Sequence, residues 1–360
     1  MNAMDEDFLI DSSELTLRFL HPPGGRVLSY KHFGGEFQAW RDRARAKLAE
    51  LLSLELPVAP PVSVSPLRHA VHEGVRVSVL VMNVSEDLSV PAYLLRPETD
   101  CMPGTAVMAI HGHSPGKGEG CLGLRNDAYR GFAIELARAG YVVLLPIHRG
   151  FGPLRDLAAG RPGYRMDYEQ SMHFSYVTDA FLHGCSAVGQ NIEDLLRWEN
   201  WLAAELSVTD IFAAGLSYGG DLAVAYPPFS QRVRRIFASG SSGSFALHFC
   251  RCYNGPAHCI PGIVKWMERS DIAGMNAPRP LAIHYGQRDT PSLNGPGNDN
   301  YAAAYNEAVP EMMQEIRQIY AAAGSADNVR LIVSPDMGHA MDVPALLAFF
   351  RDLPVPGDKS

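Results

Sequence analysis

The chain has 360 residues, long for one domain and short for two full-sized ones, and 47% hydrophobic residues supply a large core, which excludes disorder for the bulk of it. A formal net charge of -8 argues against polyanionic partners, because a nucleic-acid binder needs a basic face to displace phosphate counterions. No apolar run reaches the roughly 18 residues that a membrane-spanning helix needs.

The N-terminal MNAMDEDFLI is acidic where a secretory signal is basic, and no long apolar stretch follows it, so the simplest address is the cytoplasm. Over residues 37–56, Phe37, Trp40, Ala44, Leu48 and Leu51 or Leu52 recur at spacings of three and four, the pattern of an amphipathic helix. Its Arg- and Lys-rich side reads as a solvated face rather than a dock for a membrane or an acidic partner. Pro57, Pro60 and Pro61 end it. Residues 1–61 are therefore taken as a helical extension and 62–360 as the main domain.

From Val62 the pattern turns to strands. Residues 75–84 and 90–96 alternate or run apolar between turn residues, as an antiparallel pair does. Short apolar runs then alternate with helical segments. Strands are expected at 105–112, 141–146, 211–215, 234–240, 280–286 and 329–335, and helices at 128–140, 191–206 and 311–324. Strands buried on both faces and separated by helices make a mostly parallel α/β sheet. Ligands of such sheets bind beyond the carboxyl ends of the strands, which directs attention to the loops after His111, Pro146, Gly215, Gly286 and Pro335.

Six cysteines, Cys101, Cys121, Cys185, Cys250, Cys252 and Cys259, are too few for a disulfide scaffold in so long a chain. Three of them fall in HFCRCYNGPAHC, beside His248 and His258. Zinc favours Cys and His, but the C-x-C-x6-C spacing lacks the paired C-x2-C knuckles of a structural site. Buried cysteines acting as small hydrophobes explain the cluster equally well. No metal or cofactor is expected.

Chemistry enters at GLSYGG, residues 215–220, between the apolar IFAAG and the helix-forming DLAVAY. G-x-S-x-G between strand and helix is a nucleophile elbow: the serine sits on a strained turn that lifts its hydroxyl off the sheet, and glycines two residues either side avoid a collision. Ser217 is the nucleophile, and the Tyr218 N–H points where charge develops on the substrate's carbonyl oxygen. A second match, GHSPG at 112–116, places Ser114 before Pro115, which has no N–H to donate to an oxyanion; Ser114 is the decoy. Its loop follows an early strand, where this fold places the second oxyanion donor, assigned to the His113 N–H with Gly112 next in line. His111 and His113 form an H-x-H pair without a carboxylate in the same loop, weak evidence for a metal.

A serine needs a base, and the base needs a partner to hold its tautomer. His339 lies in DMGHAMD after the last strand, and Asp289 follows the strand PLAIHYG. The order Ser217, Asp289, His339 is that of the α/β-hydrolase fold. Asp336 and Asp342 compete for the role of acid, but each lies three residues from His339, in or beside its own loop, whereas a neighbouring strand end reaches the far ring nitrogen better.

These segments also resemble a known family, the acetyl xylan esterase and dienelactone-hydrolase-like branch of the α/β hydrolases. The resemblance runs from roughly residue 40 to 350. It is carried by RARAKLAELL, VPAYLLRP, HGHSPGKG, GYVVLLP with RGFG, GLSYGG, and NAPRPLAIHYGQRD with MGH. It implies hydrolysis of short acyl esters of small molecules or sugars, without a cofactor. His148 departs from it, standing where many relatives carry an aspartate, and residues 152–189 match no motif. Two other readings compete. A prolyl-type peptidase would need a propeller domain that 60 helical residues cannot build. A catalytically silent partner protein would have no use for an intact triad, though fold alone never fixes function.

Overall fold

The computed structural model describes residues 18, 20–22, 24–98, 102–113, 118–151, 169–248, 255–289 and 301–352. Its centre is a nine-stranded sheet: β1 (Ser63–His72), β2 (Val75–Asn83), β3 (Ser89–Pro97), β4 (Thr105–Ile110), β5 (Val142–Pro146), β6 (Asp210–Leu216), β7 (Val233–Ser239), β8 (Leu281–Gly286) and β9 (Val329–Ser334). The order is β1-β2-β3-β5-β4-β6-β7-β8-β9. β1, β2 and β3 pair antiparallel with one another, and β3 antiparallel with β5. The strands from β5 to β9 run parallel.

Side-chain alternation along the strands builds two cores. Ala106, Met108 and Ile110 of β4, with Ile211 and Ala213 of β6, enter the apolar cluster on one face. Val107, Ala109, Phe212 and Ala214 enter the cluster on the other. The first face is covered by helices: α1 (Tyr30–Phe33) leads into α2 (Phe37–Leu51), and α5 (Ala187–Leu206), α6 (Tyr218–Ala225), α7 (Arg269–Gly274) and α8 (Tyr301–Ala322) complete the layer, with α4 (Glu169–Leu182) preceding α5 in the chain. The second is covered by α3 (Phe132–Arg138) and α9 (Val343–Asp352). The stripe Trp40, Ala44 and Leu48 of α2 is fully buried, and Trp40 Nε1–H donates to Leu28 O at 2.7 Å.

Several boundaries differ from expectation. The strand β1 was not foreseen: it is exposed almost throughout, so no burial rhythm marks it, and a register shift falls between Pro66 and Arg68. The third helix begins at Phe132, because Gly131 at φ 64 ends a turn that a helix cannot include. α5 starts at Ala187, where the Ser186 hydroxyl accepts the Gly189 N–H at 3.1 Å and so caps the first turn. α8 extends back to Tyr301 and holds Pro310 in its interior.

The sheet order sends the chain from β4 to β5 on one side and from β6 onward to the other. Loops leaving β4 and β6 therefore meet at a topological switch point, where open α/β sheets place their ligands. No helix among the described residues is long and apolar enough to cross a membrane.

Candidate active site

Ser217 stands between the end of β6 and the start of α6 with φ 61 and ψ −126. A residue with a side chain held there stores on the order of 1–3 kcal/mol and persists only when its surroundings over-determine it. They do. Its N–H donates to Ser239 O at 2.8 Å, and its carbonyl accepts from Gly220 at 2.8 Å and Asp221 at 3.1 Å. A Cβ on Gly215 would overlap the Gly219 carbonyl, and one on Gly219 would overlap the Ile110 carbonyl, so both glycines are required by close backbone approach. Ser217 Oγ makes no hydrogen bond to a described residue, as is common before a substrate tightens the site.

His339 and Asp289 come together from β9 and β8. The His339 Nδ1–H donates to Asp289 Oδ1 at 3.0 Å, which fixes the tautomer and leaves Nε2 as the basic nitrogen. The carboxylate is 1% exposed, and its Oδ2 has no partner among the described residues. Backbone bonds join the two turns: Gln287 N–H to Ser334 O at 3.0 Å and Arg288 N–H to Met337 O at 2.8 Å. The His339 ring rests on Gly240, whose added Cβ would lie 2.8 Å from Cε1. Gly240 follows Ser239, the residue bonded to Ser217, so the histidine that leaves β9 rests on the end of β7, the strand next to the one that carries the serine. Of the rival carboxylates, Asp336 forms an exposed ion pair with Arg288. Asp342 accepts the Ala345 N–H at 3.0 Å and caps α9.

The loop after β4 lies against the elbow. A Cβ on Gly112 would come within 2.9 Å of Ser217 Cβ and 3.0 Å of the Tyr218 N. The Gly112 N–H donates to Tyr129 Oη at 2.9 Å, and Tyr129 in turn donates to His113 O at 3.1 Å. The Gly112 N–H, next in line as a donor in the sequence reading, is thereby engaged by Tyr129. Tyr129 was missed because it lies in what reads as helix.

His111 is fully buried. It accepts the His148 N–H on Nε2 at 3.1 Å, so its Nδ1 carries the proton given to Gly112 O at 2.8 Å. Burial drives its pKa down to about 4, and the ring stays neutral. The His148 ring packs at 4.2 Å from it and donates to His111 O at 2.9 Å, so the residue that departs from the family pattern braces the loop after β4.

His258, singled out above with the cysteines, belongs to a different cluster. Its Nδ1 pairs with Asp221 Oδ2 at 2.5 Å, and Arg269 pairs with the other carboxylate oxygen. Burial alone would raise the Asp221 carboxyl, but Arg269 and His258 outweigh it and hold the group below the usual carboxylate range. The His258 ring stacks at 5.1 Å on His113 and meets Tyr218 edge-on at 5.0 Å, which places this buried ion network directly behind the proposed oxyanion donors. Asp221 and Arg269 carry no motif and were not foreseen.

Cys121 is buried, Cys185 and Cys259 are half-buried, and burial pushes the Cys259 thiol up to about 11. Among the described residues no three His, Cys, Asp or Glu side chains group as a metal site would. Cys101, Cys250, Cys252, Ser114, Pro115 and residues 152–168 lie outside the described residues.

No family model matches the chain. It is 27% identical over 311 residues to a Bacillus subtilis (strain 168) protein named "Putative hydrolase YtaP", covering 83% of this chain and 94% of that one. Among solved structures it is similar to a protein from Bacteroides fragilis NCTC 9343 described as a "putative acetyl xylan esterase", with a TM-score of 0.67 at 17% identity over 91% of this chain and 84% of the other. A methylesterase matches with a TM-score of 0.63 at 18% identity, over 94% of this chain and 67% of the other. With its mostly parallel sheet between two helical layers and its loops meeting at the β4–β6 switch point, the chain has the α/β-hydrolase fold.

Proposed function

We propose that the chain is a serine-dependent carboxylic ester hydrolase, with residues 62–360 as its catalytic unit and short acyl esters as its substrates. The observation that carries this reading is a strained serine at the end of β6 and, resting on the end of the next strand, β7, a histidine whose Nδ1 is already held by a buried carboxylate. His339 Nε2 takes the Ser217 proton as Oγ attacks the ester carbonyl carbon. The N–H groups of Tyr218 and His113 receive the charge that moves onto the carbonyl oxygen. On collapse the alkoxide leaves with the proton from His339, and the acyl group stays on Ser217. Water, deprotonated by His339, then attacks the acyl-serine and releases the carboxylic acid. Asp289 stays ionised throughout and stabilises the imidazolium. The esterase and hydrolase names of the similar proteins support the same reaction class.

Labelling with a fluorophosphonate tests the assignment. Wild-type protein should label and should hydrolyse an aryl acetate, and Ser217→Ala should do neither, while Ser114→Ala keeps both. Labelling that survives Ser217→Ala and is lost in Ser114→Ala would overturn it.

A further inference from the structure

One buried polar chain takes no part in the steps above, yet it runs beneath them. Ser334 closes β9 and Asp342 caps α9, and His339 lies between them. Ser334 Oγ–H donates to Asp342 Oδ2, so this side-chain bond shuts the base of the loop that carries His339. The single Ser334 hydroxyl proton is thereby spent, and Ser334 Oγ can only accept from His284 Nε2–H, at 3.0 Å. His284 Nδ1 then lacks a proton and accepts the Ser239 hydroxyl at 2.7 Å. The proton order is forced from end to end: Ser239 to His284 to Ser334 to Asp342.

His284 also reaches the histidine from below. Its carbonyl accepts the N–H of Gly240 at 2.9 Å, and Gly240 is the floor on which the His339 ring rests. Phe237 stacks on the His284 ring at 5.6 Å and fixes its plane. The ring is neutral, because burial depresses it to about 4 against the pull of Asp342 and Asp289. An imidazole and two hydroxyls buried at the ends of the strands offer no stability that apolar side chains of similar volume would lack. What they add is a unique geometry.

We propose that His284, Ser334 and Asp342 are positioning residues that set the height and direction of His339 over Ser217. The proposal rests on the reading of His339 as general base.

Ser334→Ala, Ser334→Cys and Ser334→Thr in the full chain test it, with turnover and KM on an aryl acetate, fluorophosphonate labelling rate and thermal midpoint as readouts. Ser334→Ala should lower both kcat and the labelling rate by about tenfold or more, with KM changed less than about twofold, because a displaced base slows chemistry rather than binding. Ser334→Cys keeps the shape with a weak donor and should show the same loss, which covers the case in which the alanine variant does not fold. Ser334→Thr restores the hydroxyl and should return to within about threefold of wild type. Folded Ser334→Ala or Ser334→Cys protein with kcat and labelling rate within about twofold of wild type, or a loss confined to the thermal midpoint, would overturn the proposal. Persistent labelling of Ser217→Ala would instead overturn the esterase reading, so the two failures are distinguishable.

Discussion

Gly240→Ala isolates the contact between the sheet and the His339 ring. A Cβ at this position would lie 2.8 Å from His339 Cε1, 2.9 Å from Nδ1 and 3.1 Å from Leu216 Cδ1. Carbon contacts begin near 3.5 Å, so the ring must retreat by about 0.7 Å. The histidine side chain is 20% exposed and can move, whereas Leu216 is buried. A misplacement near 1 Å costs about a hundredfold in rate, so turnover should fall by roughly 30- to 100-fold. A side chain at φ 58 also costs on the order of 1–2 kcal/mol of stability. Gly74→Ala is the control, since Gly74 has φ 74 and no heavy atom within 4 Å of an added Cβ. Turnover of an aryl acetate at saturating substrate, read beside thermal unfolding, separates the two effects. Both variants should lose similar stability, and only Gly240→Ala should lose activity. Equal activity in two folded variants would refute the argument that this glycine sets the ring.

Asp289→Asn should cut turnover of an activated ester by at least about a hundredfold with the fold intact, whereas Asp336→Asn, which breaks only an exposed ion pair, should stay within about tenfold; the reverse ranking would move the acid to the other loop. Initial rates on aryl acetates should exceed those on octanoates, and the opposite order would indicate an elongated acyl pocket. Stability should fall as pH drops below about 6.5, the unfolded-state value for histidine. Burial lowers His111 to about 4, His248 to about 3 and His284 to about 4, so the unfolded chain binds protons first, and the stability present above the unfolded value is lost as pH falls toward the folded ones. Each such group contributes a slope of up to about 1.4 kcal/mol per pH unit, so His284→Gln should flatten the urea-midpoint profile between about pH 6 and 4.5. An unchanged profile would mean that His284 is not buried neutral.

What could be read from the chain was what local chemistry forces. G-x-S-x-G is legible because its glycines answer to backbone atoms only a few residues away or on the adjacent strand, as Gly215 and Gly219 do. Apolar runs such as TAVMAI are legible because both faces of β4 are covered. Pro310 misled the reading of α8, since a proline marks a helix start more often than it survives inside one. The engagement of the Gly112 N–H could not be read from sequence, because it turns on a hydroxyl of Tyr129 that arrives from another segment. The same holds for His258. Its neighbours in the chain are cysteines, whose spacing does not suit a metal, while its neighbours in space are Asp221, His113 and Tyr218.

The two ends of the sheet use buried polarity differently, and the difference follows from where backbone groups are left over. Near the start of β7, Arg235 is buried and donates to the carbonyls of Phe349 and Phe350, satisfying acceptors at the end of α9. That guanidinium closes a helix and also lies over the Phe212 ring at 5.2 Å. At the carboxyl ends of β4, β6, β7, β8 and β9, by contrast, His111, Ser217, Ser239, His284 and Ser334 follow directly on apolar strand interiors. Strands splay and loops diverge at that end, so backbone donors and acceptors outnumber their ladder partners, and side chains must take up the remainder. Once His111, Ser239, His284 and Ser334 are fixed there by satisfying backbone and one another, each has one settled tautomer or rotor and one direction left to point. A site that needs a base with a defined tautomer beside a lifted hydroxyl can therefore be built on groups whose orientation the fold already requires.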